Sequence, residues 1–470
     1  MAARTTEVDY LVIGAGAVGM AFTDTLVTQA DVTVALVDRH DKPGGHWNDA
    51  YPFVHLQQAS AHYGANSQPL GSGAMDLVGL NRGMHQLASG QEVLNHFDAV
   101  LNDTLLPTGR VSHFPMSNAQ FDGTITSLVS GREHRITARK IVDARYYESR
   151  VPSVEKPRFR VDDGVALIPP NELTHIASPS PAFVVIGAGK TGIDTCIWLL
   201  QHGVDPDAIT WIVPRDFWIQ DRANFQLGDE NLVRLVTSMV NQLATVTRAR
   251  TVENVFQLLE EVGELRRIDA MSDPTAYHCA VISDGEFDVL RQIKNVVRLG
   301  HVRSVERGRL HLEHGDLPTH QNAIYVNCTA QGIYRRPSRR VFSGDEIVLQ
   351  WVRTCQPTFS ASLIGFIEAR FTDDVTKNYL CEPIPVPDVP LDWLRMLRTN
   401  LQNHSRWDEF EEVQGWLSTV RTRSFISDPA FYAADRPDVA ELLCTYQDLL
   451  EPAMASLDRL LRDHEGAALD

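Results

Sequence analysis

The chain has 470 residues, 43% hydrophobic and 22% charged, which is length for two or more domains and apolar matter for a sizeable core. A formal net charge of −17 argues against nucleic acid and anionic membrane surfaces as partners. No stretch reaches the ~18 uninterrupted apolar residues expected of a membrane-spanning helix.

The first residues, MAARTTEVDYLVIG, lack the shape of a cleavable signal and lead straight into an apolar run that reads as a first strand. GAGAVG follows, then MAFTDTLVTQ, which reads as a helix, then the apolar run VTVALVD ending at Asp38. Strand, glycine turn, helix, strand and acid in that order suit a dinucleotide. Gly14 serves the tight turn, Gly16 lets a pyrophosphate approach the backbone, and Gly19 lets helix and sheet pack closely. Free N–H groups at the helix start face the phosphates, and Asp38 accepts hydrogen bonds from an adenosine ribose. KPGGHW comes next, where Gly44 and Gly45 permit close backbone approach and His46 and Trp47 present rings beside it. That surface suits a flat isoalloxazine, so the first unit is expected to bind FAD.

Residues 50–82 read as a long ordered loop, and loops of that length inside compact domains are usually functional. RGMHQLASGQEVLNHFDAVLNDTLLP reads as helical, RVSHFPM, TITSLVSG and HRITARKIVDARYY as strands, the last returning to the first sheet. PAFVVIGAGKTGIDTCIWLLQHG then repeats strand, glycine turn and helix, with Gly187, Gly189 and Gly192 in the turn. The following strand, AITWIVPR, ends in Arg215 rather than an acid. An arginine there meets the 2′-phosphate of NADPH, and Lys190 adds positive charge beside the phosphates.

Beyond Arg215, NLVRLVTSMVNQLATVT and TVENVFQLLEEVG predict a helical insertion. NAIYVNCTAQG reads as a buried strand returning to a nucleotide sheet, and IVLQWVRTCQPTFSASLIGFIEARF as a return to the core with a QPTFS loop beside a cofactor. The remainder is largely helical, serving as an active-site cover or an interface. Six cysteines, Cys196, Cys279, Cys328, Cys355, Cys381 and Cys444, form no CxxC, which speaks against a disulfide scaffold, a zinc knuckle and a redox dithiol. No metal-ligand spacing such as HExxH is present. The expectation is a reduced, cytoplasmic α/β protein with two Rossmann-like dinucleotide-binding domains, a helical insertion and a mostly helical C-terminal region. Its divisions are 1–165 and 336–385 for FAD, 166–335 for NADPH, and 386–470 for the helical region.

Together GAGAVG with Asp38, GGHW, GAGKTGID with ITWIVPR, and NCTAQG (with Ala330) resemble the motifs of the two-dinucleotide-domain flavoproteins. Among these the chain is similar to the single-component flavin monooxygenases, N-hydroxylating and Baeyer–Villiger enzymes included, over roughly residues 8–370. The resemblance implies hydride transfer from NADPH to FAD, reaction with O₂ through a C4a-(hydro)peroxyflavin, and insertion of one oxygen atom into a small organic substrate. One departure stands out: the FxGxxxHxxx(W/F/Y) fingerprint is not met in VALIPPNELTHIASPSPAF, where His175 lacks the preceding Phe and Gly at the required spacing. The chain does not read as a standard Baeyer–Villiger enzyme, and the missing CxxC excludes the disulfide reductase branch.

Candidate reacting groups lie in the loop after GGHW. Gln57 or Gln58 is placed to bond flavin edge atoms, Asn66 to orient nicotinamide or the peroxyflavin, and His62 to exchange a proton near neutral pH. Trp218 and Arg222 are candidates for the nicotinamide path. Three alternatives remain at this level: a flavin oxidase or dehydrogenase, a non-redox FAD-binding protein, and a plain nicotinamide dehydrogenase. The substrate and the oligomeric state, homo-oligomer included, are not legible.

Overall fold

The computed structural model describes residues 5–422 and 434–467. Thr5–Ile13 forms the centre of the first sheet, whose strand order is Phe342–Ser343, Glu346–Val348, Glu133–Asp143, Thr5–Ile13, Val34–Val37, Val111–Phe114. From Glu346–Val348 across to Val111–Phe114 every pairing is parallel. Parallel sheets are covered on both faces, which accounts for the unbroken apolar run Tyr10 to Ile13, buried throughout. Ser117–Ala119 and Thr124–Ser127 extend the sheet as an antiparallel meander.

The helix Ala17–Gln29 covers one face and packs on Pro357–Arg370. Their close approach is set by Gly365, where a Cβ would lie 2.9 Å from the carbonyl oxygen of Phe22. Helix Pro357–Arg370 is buried nearly all round, from Thr358 to Glu368, and the carboxylate of Glu368 is paired there with Lys140 and Lys377.

The second sheet is wholly parallel, in the order Asn295–Val297, Ile209–Ile212, Phe183–Ile186, Ile324–Asn327, Leu167–Ile168. Two smaller sheets flank it: Leu265–Arg266, Phe217–Asp221 and Ala276–Ile282; and a four-stranded one ending in Gly315–Pro318. Helices Leu232–Arg248 and Val252–Glu261 form the insertion, and Pro390–Asp408, Glu411–Thr419 and Pro437–Ala467 the C-terminal region. The architecture is thus α/β with two Rossmann-like sheets, helical insertions and a mostly helical C-terminal part. Among the described residues no helix is long and apolar enough to cross a membrane.

Two local expectations are revised. The helix expected from residue 82 begins only at Gly90, because Ser89 and Glu92 form a reciprocal capping box there. The preceding residues fold back on the loop instead, with Asp76 N–H donating to Met84 O (2.8 Å) and Gln86 N–H to Ala74 O (2.9 Å). The cysteines are not all free: Cys279 and Cys355 form a disulfide 76 residues apart in sequence, a spacing no local motif announces.

Candidate functional site

The first glycine turn is fixed by sterics. A Cβ on Gly19 would sit 1.9 Å from the Gly14 carbonyl oxygen, so the helix can press onto the turn only without a side chain. The helix starts at Ala17 with Gly16 as its cap and no side chain capping it, leaving its first N–H groups for a ligand. The second pair of glycines docks on this turn. Gly44 N–H donates to Ala15 O at 2.8 Å, and a Cβ on Gly45 would come within 2.9 Å of the Gly16 Cα. KPGGHW therefore contributes bare backbone laid against bare backbone. Beyond it Trp47 is buried, its indole N–H donating to the Tyr63 hydroxyl (2.9 Å), with His46 stacked on it.

Asp38 closes this end. Its carboxylate accepts from Ala15 N–H (2.6 Å) and from both the backbone N–H and Nδ1 of His40 (2.8 and 2.9 Å). Burial pushes its pKa up, but the bonds from His40 and Ala15 outweigh it and hold the carboxyl below the usual range. His40 is correspondingly raised, chiefly by its bond to Asp38, and its other nitrogen meets Asp49 at 2.9 Å.

The second turn repeats the geometry. A Cβ on Gly192 would lie 2.1 Å from Gly187 O, whereas one on Gly189 would meet nothing within 4 Å, so the middle glycine faces open space. Helix Lys190–Gln201 starts there, again without a side-chain cap. Lys190 pairs with Asp194, which also accepts from the Tyr51 hydroxyl at 2.7 Å. A side chain of the first unit is thereby tied to the second turn. Arg215 follows the adjacent strand, as the sequence placed it, but its guanidinium is held by Asp388 (2.7 Å). Arg335 and His278 meet the same carboxylate at 3.2 and 2.9 Å.

A cleft of about 720 Å³ joins the two ends. Gly14, Gly16, Asp38, Gly45, His46, Trp47, Gln57, Gln58, His62, Lys190 and Ala330, all expected from sequence, line it. Gly19, Gly187, Gly189, Gly192 and Arg215 do not line it. Gln57 is committed to that wall: its Oε1 accepts from Val281 N–H and its carbonyl from Arg222 Nε, both at 2.9 Å. His62 is buried with Nδ1 unpartnered, and burial holds it down at about 4. At that value its imidazole is uncharged at pH 7. Asn66 is not in the cleft. Its N–H donates to Asp24 (3.0 Å) and its side-chain oxygen accepts from Thr422 (3.2 Å), so it fastens the loop.

Trp218 and Arg222 are also placed elsewhere. Trp218 is core, packed on Phe256 with Arg267 across its face. Arg222 is buried on Glu286 (2.6 Å) and borders a separate cavity of about 530 Å³ between the loop and helix Lys190–Gln201. Sequence reasoning missed Tyr147, Trp351, Cys279 and Cys355, which line the cleft but come from stretches without a motif. The bare first glycine turn, the helix starts at Ala17 and Lys190 without side-chain caps, and the orphaned buried nitrogen of His62 on one cleft fit a bound dinucleotide.

The class that these sheets and turns define is a dinucleotide-binding protein with two Rossmann-like units. Residues 12–74 match the family model for an NAD(P)-binding Rossmann-like domain. The chain belongs to the same family as the uncharacterized protein Rv2000 of Mycobacterium tuberculosis H37Rv. The two are 44% identical over 461 residues, covering 98% of this chain and 85% of that one. The uncharacterized protein Mb2023 of Mycobacterium bovis matches to the same extent. Similar solved structures include an NADP-bound oxidised steroid monooxygenase (TM-score 0.48, 13% identity, 77% of this chain and 85% of that one). A flavin-containing monooxygenase from Stenotrophomonas maltophilia is another (0.43, 14%, 78% and 98%).

Proposed function

We propose that the protein is an FAD- and NADPH-dependent oxidoreductase, and that its reaction is transfer of one oxygen atom from O₂ to a small organic substrate. The observation that carries the reading is a cleft that runs from the first glycine turn, at Gly14 and Gly16, to Lys190 and Thr191 at the start of the helix after the second. Gly14, Gly16 and the start of helix Ala17–Gln29 would hold the FAD pyrophosphate, Asp38 its adenosine ribose, and the Gly45–Trp47 turn the flavin end. Gly189, Lys190 and Arg215 would hold NADPH. FAD supplies two-electron redox chemistry and reactivity toward O₂.

The chain's own part is positioning and exclusion. Asp38, kept ionised by His40 and Ala15, offers its remaining lone pairs to a ribose hydroxyl. Trp47, Tyr51 and Trp351 are buried apolar walls that keep water from the reacting edge, as oxygen transfer requires. His46 and His62, both depressed to about 4 by burial, stay neutral at pH 7 and act as hydrogen-bond partners, not as charged acids. Arg215 must leave Asp388 to meet a 2′-phosphate, so the carboxylate competes with the nucleotide for one guanidinium.

The test uses the purified holoprotein. Flavin absorbance should fall on anaerobic addition of NADPH, and on O₂ admission an organic product should carry one ¹⁸O from ¹⁸O₂. Stoichiometric peroxide without labelled product would replace the reading with an oxidase. No bleaching with NADPH or NADH would refute reduction altogether.

A further inference from the structure

The most singular feature of the cleft outside the glycine turns is its sulfur. Cys279 lies in strand Ala276–Ile282, which flanks the second sheet, and Cys355 just before helix Pro357–Arg370, which packs on the first. They are joined as a disulfide and both line the cleft. Both are half-buried, whereas the free Cys196, Cys328 and Cys381 are buried. Among the described residues three non-glycine residues have positive φ, and two of them are Cys279 (+54°) and Cys355 (+51°). Backbone held in that region by L-residues concentrates at functional sites.

A helix start beside one of the two sulfurs favours a thiolate there. Cys355 stands one residue before Gln356, the cap of the 14-residue helix Pro357–Arg370, and a helix N-terminus lowers a neighbouring thiol's pKa.

We propose that Cys279 and Cys355 are a redox-active pair whose substrates are small dithiols and their disulfides, entering through the cleft. A thiolate of the dithiol attacks the Cys279 sulfur, forming a mixed disulfide as the Cys279–Cys355 bond breaks. Cys355 leaves as the thiolate, the better leaving group beside the helix end. The dithiol's second sulfur then displaces Cys279, closing a substrate disulfide. Two electrons and two protons pass from the dithiol, which is oxidised, to the pair, which ends as two thiols. The proposal is independent of which nucleotide the glycine turns hold.

Native full-length protein is incubated with dithiothreitol at graded ratios to its oxidised form, alkylated, and read by peptide mass spectrometry. Cys279 and Cys355 should gain label together, two groups per chain beyond the exposed Cys444, which is labelled throughout, while Cys196, Cys328 and Cys381 stay unlabelled, and oxidised dithiothreitol should restore the bond. The C355S variant, given glutathione disulfide, should take up one glutathione on Cys279. A bond that resists reduction until denaturant is added would overturn the proposal. So would label appearing on all the buried cysteines at once, or two thiols that never pair under oxidised dithiothreitol. The wild-type measurement decides even if C355S fails to fold.

Discussion

At the residue scale the site depends on places where no side chain fits. Gly45 and Gly73 both have positive φ (+58° and +71°), but a Cβ on Gly73 meets nothing within 4 Å and one on Gly45 meets Gly16 at 2.9 Å. Gly73→Ala should therefore cost only the backbone penalty of about 1 kcal/mol. Gly45→Ala should also push the turns apart and lower the flavin retained on purification severalfold; equal flavin content in the two variants would contradict this. His96 gives a pH prediction. Its Nε2 accepts from Ala65 N–H (2.9 Å), and burial holds it at about 4. Its folded pKa lies below the unfolded value near 6.5, so the unfolded chain takes up the proton first. Stability is full above about pH 6.5 and is lost as pH falls toward 4, by about 1.4 kcal/mol per pH unit for this group. In His96→Gln the amide oxygen can still accept from Ala65, and the fall in unfolding free energy between pH 6.5 and 5 should be shallower by about that slope.

At the element scale the loop of residues 50–89 is held by cations from far away. Arg421 donates to the carbonyls of Ala61 (2.9 Å), Tyr63 (2.7 Å) and Ala65 (2.8 Å), and Arg222 clamps Gln57 from the second unit. Arg421→Met leaves three carbonyls without their donor and should lower stability by about 2–4 kcal/mol in denaturant unfolding; a change under 0.5 kcal/mol would show the clamp idle. Asp388 belongs to the C-terminal region yet occupies Arg215. By isothermal titration, Arg215→Ala should weaken 2′,5′-ADP at least tenfold with 5′-AMP unchanged, and Asp388→Asn should tighten it. Unchanged 2′,5′-ADP affinity in Arg215→Ala would remove the phosphate-reading role.

The same scale explains what was legible beforehand. Glycine turns, the acid at Asp38 and the GGHW turn depend on local backbone chemistry, so their spacing carries them. Asn66 and Arg222 depend on tertiary partners, Thr422 and Glu286, that no window of sequence connects. Equally, Cys279 and Cys355 share no motif and meet only because two units fold against one cleft. His62 was legible as a cleft residue, but its neutrality was not, since burial sets it.

For the whole molecule, the repeated glycine turn is proposed to mean two nucleotide sites, one on each Rossmann-like unit, with Tyr51 of the first unit bonded to Asp194 in the helix after the second turn. The central claim is that a nucleotide at the second site delivers electrons to a flavin at the first. Stopped-flow absorbance of the anaerobic holoprotein at the flavin maximum tests it most directly. Saturating NADPH should bleach the flavin fully in one turnover, faster than NADH at equal concentration. A flavin that stays oxidised with NADPH bound would contradict the account.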